Sequence, residues 1–283
     1  HSSYLPDYVA EKTKGRIPAD QVERFLLDDI RAGSEARLLN LHDNQCGVVD
    51  GETQADLNRF ATDILRAAAQ GKRFLFRSGA SILTALAGLP PQPVAAESMI
   101  QYVRDGKPGA VIVGSHVKKT TEQLERLLQE PGTVGVEVEV ARLLEGQADS
   151  RAALLEQILQ QVHGVHAQGK TPVVFTSRQE LTFENTQVRL DFGVAVSTLL
   201  MDVVKGLPTE IGFLIGKGGI TSNDVLSVGL ALPTARLLGQ ILPGCSVVRT
   251  PADHPQFPNL PVVLFPGNVG DADALAIVYR RLH

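Results

Sequence analysis

Short runs rich in valine, isoleucine and phenylalanine alternate along the chain with longer stretches whose apolar residues recur every third or fourth position. The first pattern belongs to strands buried on both faces and the second to amphipathic helices, so the alternation predicts a parallel sheet covered by helices. Residues 46–50 are expected as a buried strand. Residues 53–70 follow as a helix with Thr53 as its cap and Leu57, Phe60, Ile64 and Leu65 on one face. Residues 74–76 read as a further strand and 81–86 as a further helix. The stretch 88–93 then brings Pro90, Pro91 and Pro93 together, which can continue neither a helix nor a central strand. A domain boundary is expected there.

Beyond the break the rhythm restarts more regularly. Strands are expected at 110–113, 134–138, 172–175, 211–215, 246–248 and 261–265. Helices are expected at 120–128, 151–165, 190–204 and 271–282. The fold class that follows is α/β, an open, mostly parallel sheet with helices on both faces in a Rossmann-like three-layer arrangement. It is preceded by a partial second α/β domain. Residues 1–92 form the remnant domain in this reading and 93–283 the complete one.

Composition narrows the partners. Hydrophobic residues make up 43% of the 283-residue chain, enough for a real core, and the net charge is −4. That balance speaks against nucleic acid and anionic membrane surfaces, both of which need a clustered basic face. No apolar run approaches the ~18–20 residues of a membrane-spanning helix. The chain opens without Met, without a charged leader and without an apolar block, so no signal peptide is expected. The two cysteines, Cys46 and Cys245, are expected as buried free thiols and the compartment as cytoplasmic.

Three expected strand ends carry small, donor-rich sequences, and in open α/β sheets ligands sit outside those ends. The first is Val113-Gly114-Ser115-His116, where Gly114 allows close backbone approach and the Ser115 hydroxyl can donate; Thr120 or Thr121 is expected to cap the helix behind it. The bland alternative is an ordinary strand-to-helix turn. The second is Gly216-Lys217-Gly218-Gly219-Ile220-Thr221, with Thr221 and Asp224 spaced as a capping box. Its glycines and first-turn amides suit an anion, although a loop chosen only for turning remains open. Neither the P-loop order nor G-x-G-x-x-G is present. The third is Pro266-Gly267-Asn268-Val269-Gly270-Asp271, with Asp271 expected to cap the last helix. Three such turns in one domain point to a single polyphosphate crevice, because phosphoryl transfer needs positioning and charge stabilisation above all.

These residues resemble the four-carbon acid sugar kinase family. The segment 113–124 is similar to its Gly-Ser…Thr…Gln stretch, Gly218-Gly219-Ile220-Thr221 to its Gly-Gly-x-Thr motif, and Gly267-Asn268-Val269-Gly270 to its C-terminal glycine motif. The turn 77–81 resembles one near the end of the family's first domain. The resemblance implies an ATP-dependent kinase acting on erythronate, threonate or 3-oxo-tetronate at O4. It implies ATP contacts from Ser115, Gly218, Gly219, Ile220, Thr221 and Gly267, with Mg2+ on the phosphates. Gly114, Lys217, Asn268 and Gly270 are expected as further phosphate ligands.

Two departures stand out. The family's opening Asp-Asp…Thr-Gly motif has no counterpart here, so the chain is expected to start midway through the first domain and to be inactive alone. Where many relatives carry Lys-Ser before the C-terminal glycine, this chain has Phe265-Pro266. Lys217 is expected to supply the missing charge, with Lys118 and Lys119 as substitutes. A non-catalytic nucleotide-sensing module is the alternative. The expected partners are ATP and a small sugar acid, with no nucleic acid and no membrane; a homo-oligomer is left open. His163 and His166 have metal-binding spacing without evident co-ligands, Glu137 and Glu139 read as a solvated edge before a magnesium site, and His254 reads as a loop residue.

Overall fold

A computed structural model of the protein describes residues 3–145, 148–178 and 181–283. The chain divides into two compact units, His1–Pro91 and Gln92–His283.

In the first unit, helix α1 (Leu5–Lys12) precedes strand β1 (Glu23–Phe25), helices α2 (Leu27–Ala32) and α3 (Glu35–Asn40), strand β2 (Gly47–Val49), and helices α4 (Gln54–Ala69) and α5 (Ala80–Leu86). β1 and β2 pair in parallel, Phe25 opposite Val49. Phe25, Ile30, Leu38, Phe60, Ile64 and Ile82 close one apolar core. The Phe25 and Phe60 rings stand 5.4 Å apart. α4 starts where its sequence says it should: Thr53 caps it and Asp56 returns the bond to the Thr53 amide at 2.9 Å. Leu65, expected on the inner face, is half exposed instead. The expected strand at 74–76 does not form. The two-stranded sheet contains only β1 and β2, so that run has no neighbour to complete its hydrogen bonds. Phe74 packs on the core and Leu75 is fully exposed.

The second unit contains a seven-stranded sheet. In chain order its elements are β3 (Ala110–Val113), α6 (Lys118–Leu127), β4 (Thr133–Val138), α7 (Ala148–Ala167), β5 (Thr171–Thr176), α8 (Thr186–Lys205), β6 (Leu214–Lys217), α9 (Gly219–Asp224), β7 (Arg236–Leu242), β8 (Cys245–Arg249), β9 (Pro261–Phe265) and α10 (Ala274–Arg280). The strand order is β4-β5-β3-β6-β9-β8-β7, parallel from β4 through β9 and antiparallel at β8 and β7.

Each central strand feeds two cores, as its period-two geometry dictates. Ala110 and Ile112 face one layer with α7 and α8 through Leu154, Ile158, Leu200 and Val204. Val111 and Val113 face the other with α6 and α10 through Leu124, Leu127, Leu275 and Val278. All four β3 side chains are completely buried, which contributes roughly 1.5–3 kcal/mol for each large one. The result is an α/β unit with a mostly parallel sheet between helical layers.

β6 starts three residues later than expected, because its ladder to β3 begins at Ala110 opposite Leu214. β7 was not expected at all. Its hairpin with β8 turns at Pro243-Gly244, Gly244 taking a φ of 82°. Cys245 is buried and Cys46 half-buried, both as free thiols. No helix among the described residues is long and apolar enough to cross a membrane.

Candidate functional site

The sheet itself gathers the three small-residue turns. β3, β6 and β9 are neighbours, and their last residues lie side by side: Val113 pairs with Lys217, and Lys217 with Phe265. Parallel strands sit ~4.8 Å apart, so the turns that follow leave the sheet within ~10 Å of one another. From β3 the chain builds outward to β5 and β4 on one side, then returns to place β6 and β9 on the other. The ends of β3 and β6 are therefore the topological switch point, where such sheets bind ligands.

Gly114 donates its amide to the Lys217 carbonyl at 3.3 Å, and Gly218 to that of Phe265 at 2.9 Å. A Cβ on Gly114 would lie 2.3 Å from Thr221 Oγ1, and one on Gly218 3.3 Å from the Ser115 Cβ. A Cβ on Gly267 would lie 3.9 Å from Ser115 Oγ. Ser115, Gly218, Thr221 and Gly267 thus share one small volume, and glycine is what leaves it open. Gly218 also has a φ of 123°, a conformation other residues rarely adopt.

Local capping differs from expectation. α9 starts one residue after Gly218, which holds the cap position, so Thr221 is the third helical residue. The Asp224 carboxylate accepts from the Ser197 hydroxyl instead of closing a capping box. α6 begins at Lys118 behind Val117 without a side-chain cap. Thr120 lies inside that helix, its hydroxyl donating to Ser115 Oγ at 3.3 Å. Asp271 Oδ1 accepts from the Asp273 amide at 3.1 Å, with Asp273 next to the start of α10.

The amides of Gly219, Ile220 and Thr221 donate to no group among the described residues, nor do those of Gly267, Asn268, Val269 and Gly270. The Ile220 side chain is 76% exposed, so what this position brings to the turn is its main chain. Gly270 keeps a φ of 76°.

Lys217 is completely buried. Its ammonium donates to the carbonyls of Pro266 at 2.9 Å and Gly267 at 3.3 Å, over the Phe265 ring at 4.3 Å from its centre. Burial pulls its pKa from 10.5 to about 8, with Lys119 adding repulsion. Lys119 is exposed and reaches the Asn268 carbonyl at 3.4 Å. Lys118 lies 3.9 Å from Glu122 on the helix surface.

Sequence reasoning missed Arg178, two residues past β5 on the other side of β3. Its guanidinium donates twice to the Ser115 carbonyl, at 2.6 and 2.9 Å, and burial disfavours its charge. Nothing in the local pattern marks it; only the β5-β3 pairing brings it to the Ser115 turn. Away from the turns, His254 staples its own loop by accepting from the Phe257 amide at 2.9 Å and contacting the Leu230 carbonyl. His163 contacts the Gly206 carbonyl at 2.8 Å. Among the described residues no group of three His, Cys, Asp or Glu side chains could hold a metal ion.

A model of a nucleotide-binding C-terminal domain matches residues 110–275, and one of a sugar-binding N-terminal domain matches residues 1–86. No curated protein matches the chain significantly. Solved structures that share its fold include the following two. One, from Salmonella typhimurium LT2 and provisionally described as a tRNA synthase, is 20% identical with a TM-score of 0.58, covering 92% of this chain and 58% of its own. The other is a domain of unknown function from Bordetella bronchiseptica with bound citrate, a domain-swapped dimer. It is 18% identical with a TM-score of 0.51, over 100% of this chain and 61% of its own. The chain spans about three fifths of the length of these structures.

Proposed function

The chain belongs to the four-carbon acid sugar kinase family, and on that premise we propose that it supplies the ATP-binding part of an enzyme phosphorylating a small four-carbon sugar acid. The acceptor class is that of erythronate, threonate or 3-oxo-tetronate, with O4 as the phosphorylated position. The observation that carries this reading is the convergence of Ser115, Gly218–Thr221 and Gly267 at the aligned ends of three adjacent parallel strands.

The residues present fit a nucleotide's polyphosphate. Side chains are absent at Gly114, Gly218 and Gly267, where a Cβ would crowd or narrow the pocket. Unpaired amides line two of the turns and supply the donors that anions need. ATP, when bound, supplies the phosphoryl group. The amides of Gly219–Thr221 and 267–270, with the Ser115 hydroxyl, hold the phosphate oxygens. Gly114 keeps the floor open. Lys119 and Arg178 bring positive charge to the rim, where fixed charge offsets the negative charge of the transferring group. Mg2+ enters this reading on the phosphates, since that ion keeps several waters and takes few protein ligands.

A non-catalytic nucleotide sensor is favoured by one feature, Phe265-Pro266 in place of a cation before Gly267. An ATP-consumption assay against a panel of four-carbon sugar acids separates the readings, run on this chain and on the longest natural protein containing it. Acid-dependent ADP release is the expected result for the longer protein. Binding of ATP with no turnover on any acid would leave the sensor. Preference for NAD over ATP would remove both.

A further inference from the structure

Four consecutive peptide carbonyls after β9 each accept from a side chain. The carbonyls of Pro266 and Gly267 accept from the buried Lys217 ammonium, at 2.9 and 3.3 Å. The Asn268 carbonyl accepts from Lys119 at 3.4 Å. The Val269 carbonyl accepts from Gln123 Nε2 at 3.0 Å, and the same nitrogen reaches the Asp271 carbonyl at 2.7 Å. In a trans peptide the carbonyl and the following N–H point in opposite directions. Pinning each carbonyl therefore turns the amide of the same peptide unit, at Gly267, Asn268, Val269 and Gly270, away from the side chain that holds it, and none of the four donates to a described group. Ser115 Oγ lies close to this turn, 3.9 Å from where a Gly267 Cβ would stand.

From this we infer that Lys217, Gln123 and Lys119 are positioning residues, which hold the 267–270 main chain as a preformed nest for a phosphate chain. Runs of outward amides make such anion sites, and holding them in advance spares the ordering cost on binding. The side chains support this in two independent ways. Lys217 is a charge kept at zero exposure, with its ammonium on main-chain carbonyls and no carboxylate partner among the described residues. Gln123 is also fully buried; its Nε2 makes both of its bonds to the loop, and among the described residues its Oε1 has no partner. A side chain placed only for packing in that position would be apolar. Lys217 thus acts from behind the loop instead of touching phosphate itself.

The inference rests on the nucleotide reading for its ligand but is tested separately from it. Inorganic tripolyphosphate and ATP–Mg2+ are titrated calorimetrically into the whole chain and into Lys217→Met, Gln123→Leu and Lys119→Met, with melting temperatures measured alongside. Gln123→Leu removes no charge, so a loss there reports positioning. The expected result is a tenfold or greater loss of tripolyphosphate affinity in Lys217→Met and Gln123→Leu, with no fall in the melting temperature of Lys217→Met. A smaller loss is expected in Lys119→Met, whose exposed site leaves folding untouched. If tripolyphosphate binds with this pattern and ATP does not bind at all, the nest stands and the nucleotide reading falls. Variants that bind both ligands like the wild type overturn the inference and leave the nucleotide reading intact. A wild type that binds neither overturns both.

Discussion

Lys217 shows how far a single residue's meaning depends on its surroundings. The sequence placed a lysine beside glycines, and a phosphate ligand was the natural expectation. Strand pairing points the side chain at Phe265 and the carbonyls after it. Its depressed pKa makes a signed prediction. The folded state gives up the proton near pH 8 while the unfolded chain keeps it to about 10.5. Across that window the unfolded state binds more protons, so stability rises with pH. Between about pH 7 and 9 the wild type should gain about 1 kcal/mol relative to Lys217→Met, read as the difference between two denaturation series. A flat difference would show that the ammonium is as well solvated as a surface lysine. The strand-end placement of Ser115, Gly218 and Gly267 was legible because glycine and serine there report main-chain demands, which are local. Arg178 was not, since only the β5-β3 pairing brings it to Ser115.

Elements were legible wherever their hydrogen bonds are satisfied locally or their burial is total. α4 follows from Thr53, Asp56 and a period of 3.6, and β3 from four buried residues in a row. The run 74–76 has the composition of a strand but no partner, a fact no local pattern holds. β7 hides behind Gly239, whose φ of 147° accompanies a register shift against β8. The Pro243-Gly244 turn was the available signal for that hairpin. At α4 a second test applies. The Arg31 guanidinium, with the Thr53 amide and hydroxyl, holds the Asp56 carboxyl well below the usual carboxylate range. Its contribution is present above about pH 4 and is lost as acid protonates it. Asp56→Asn should speed hydrogen exchange across α4 at neutral pH, and the gap from wild type should close as pH falls below about 4. Equal exchange at neutral pH would mean that the cap does not hold this helix.

At the scale of the molecule, two units each bury apolar cores of their own, and the second brings three motifs separated by up to about four fifths of its length to one end of one sheet. The order of the strands does this, and order is what sequence patterns report least. The family match fixes the class of protein. In the proposed function, the turns after β3, β6 and β9 hold one nucleotide. An amide-resolved NMR titration with ATP–Mg2+ tests it directly. Ser115, Gly219 to Thr221 and Gly267 to Gly270 should shift together along a single binding curve. Saturation without movement at these amides, or movement of one turn while the others stay still, would contradict it.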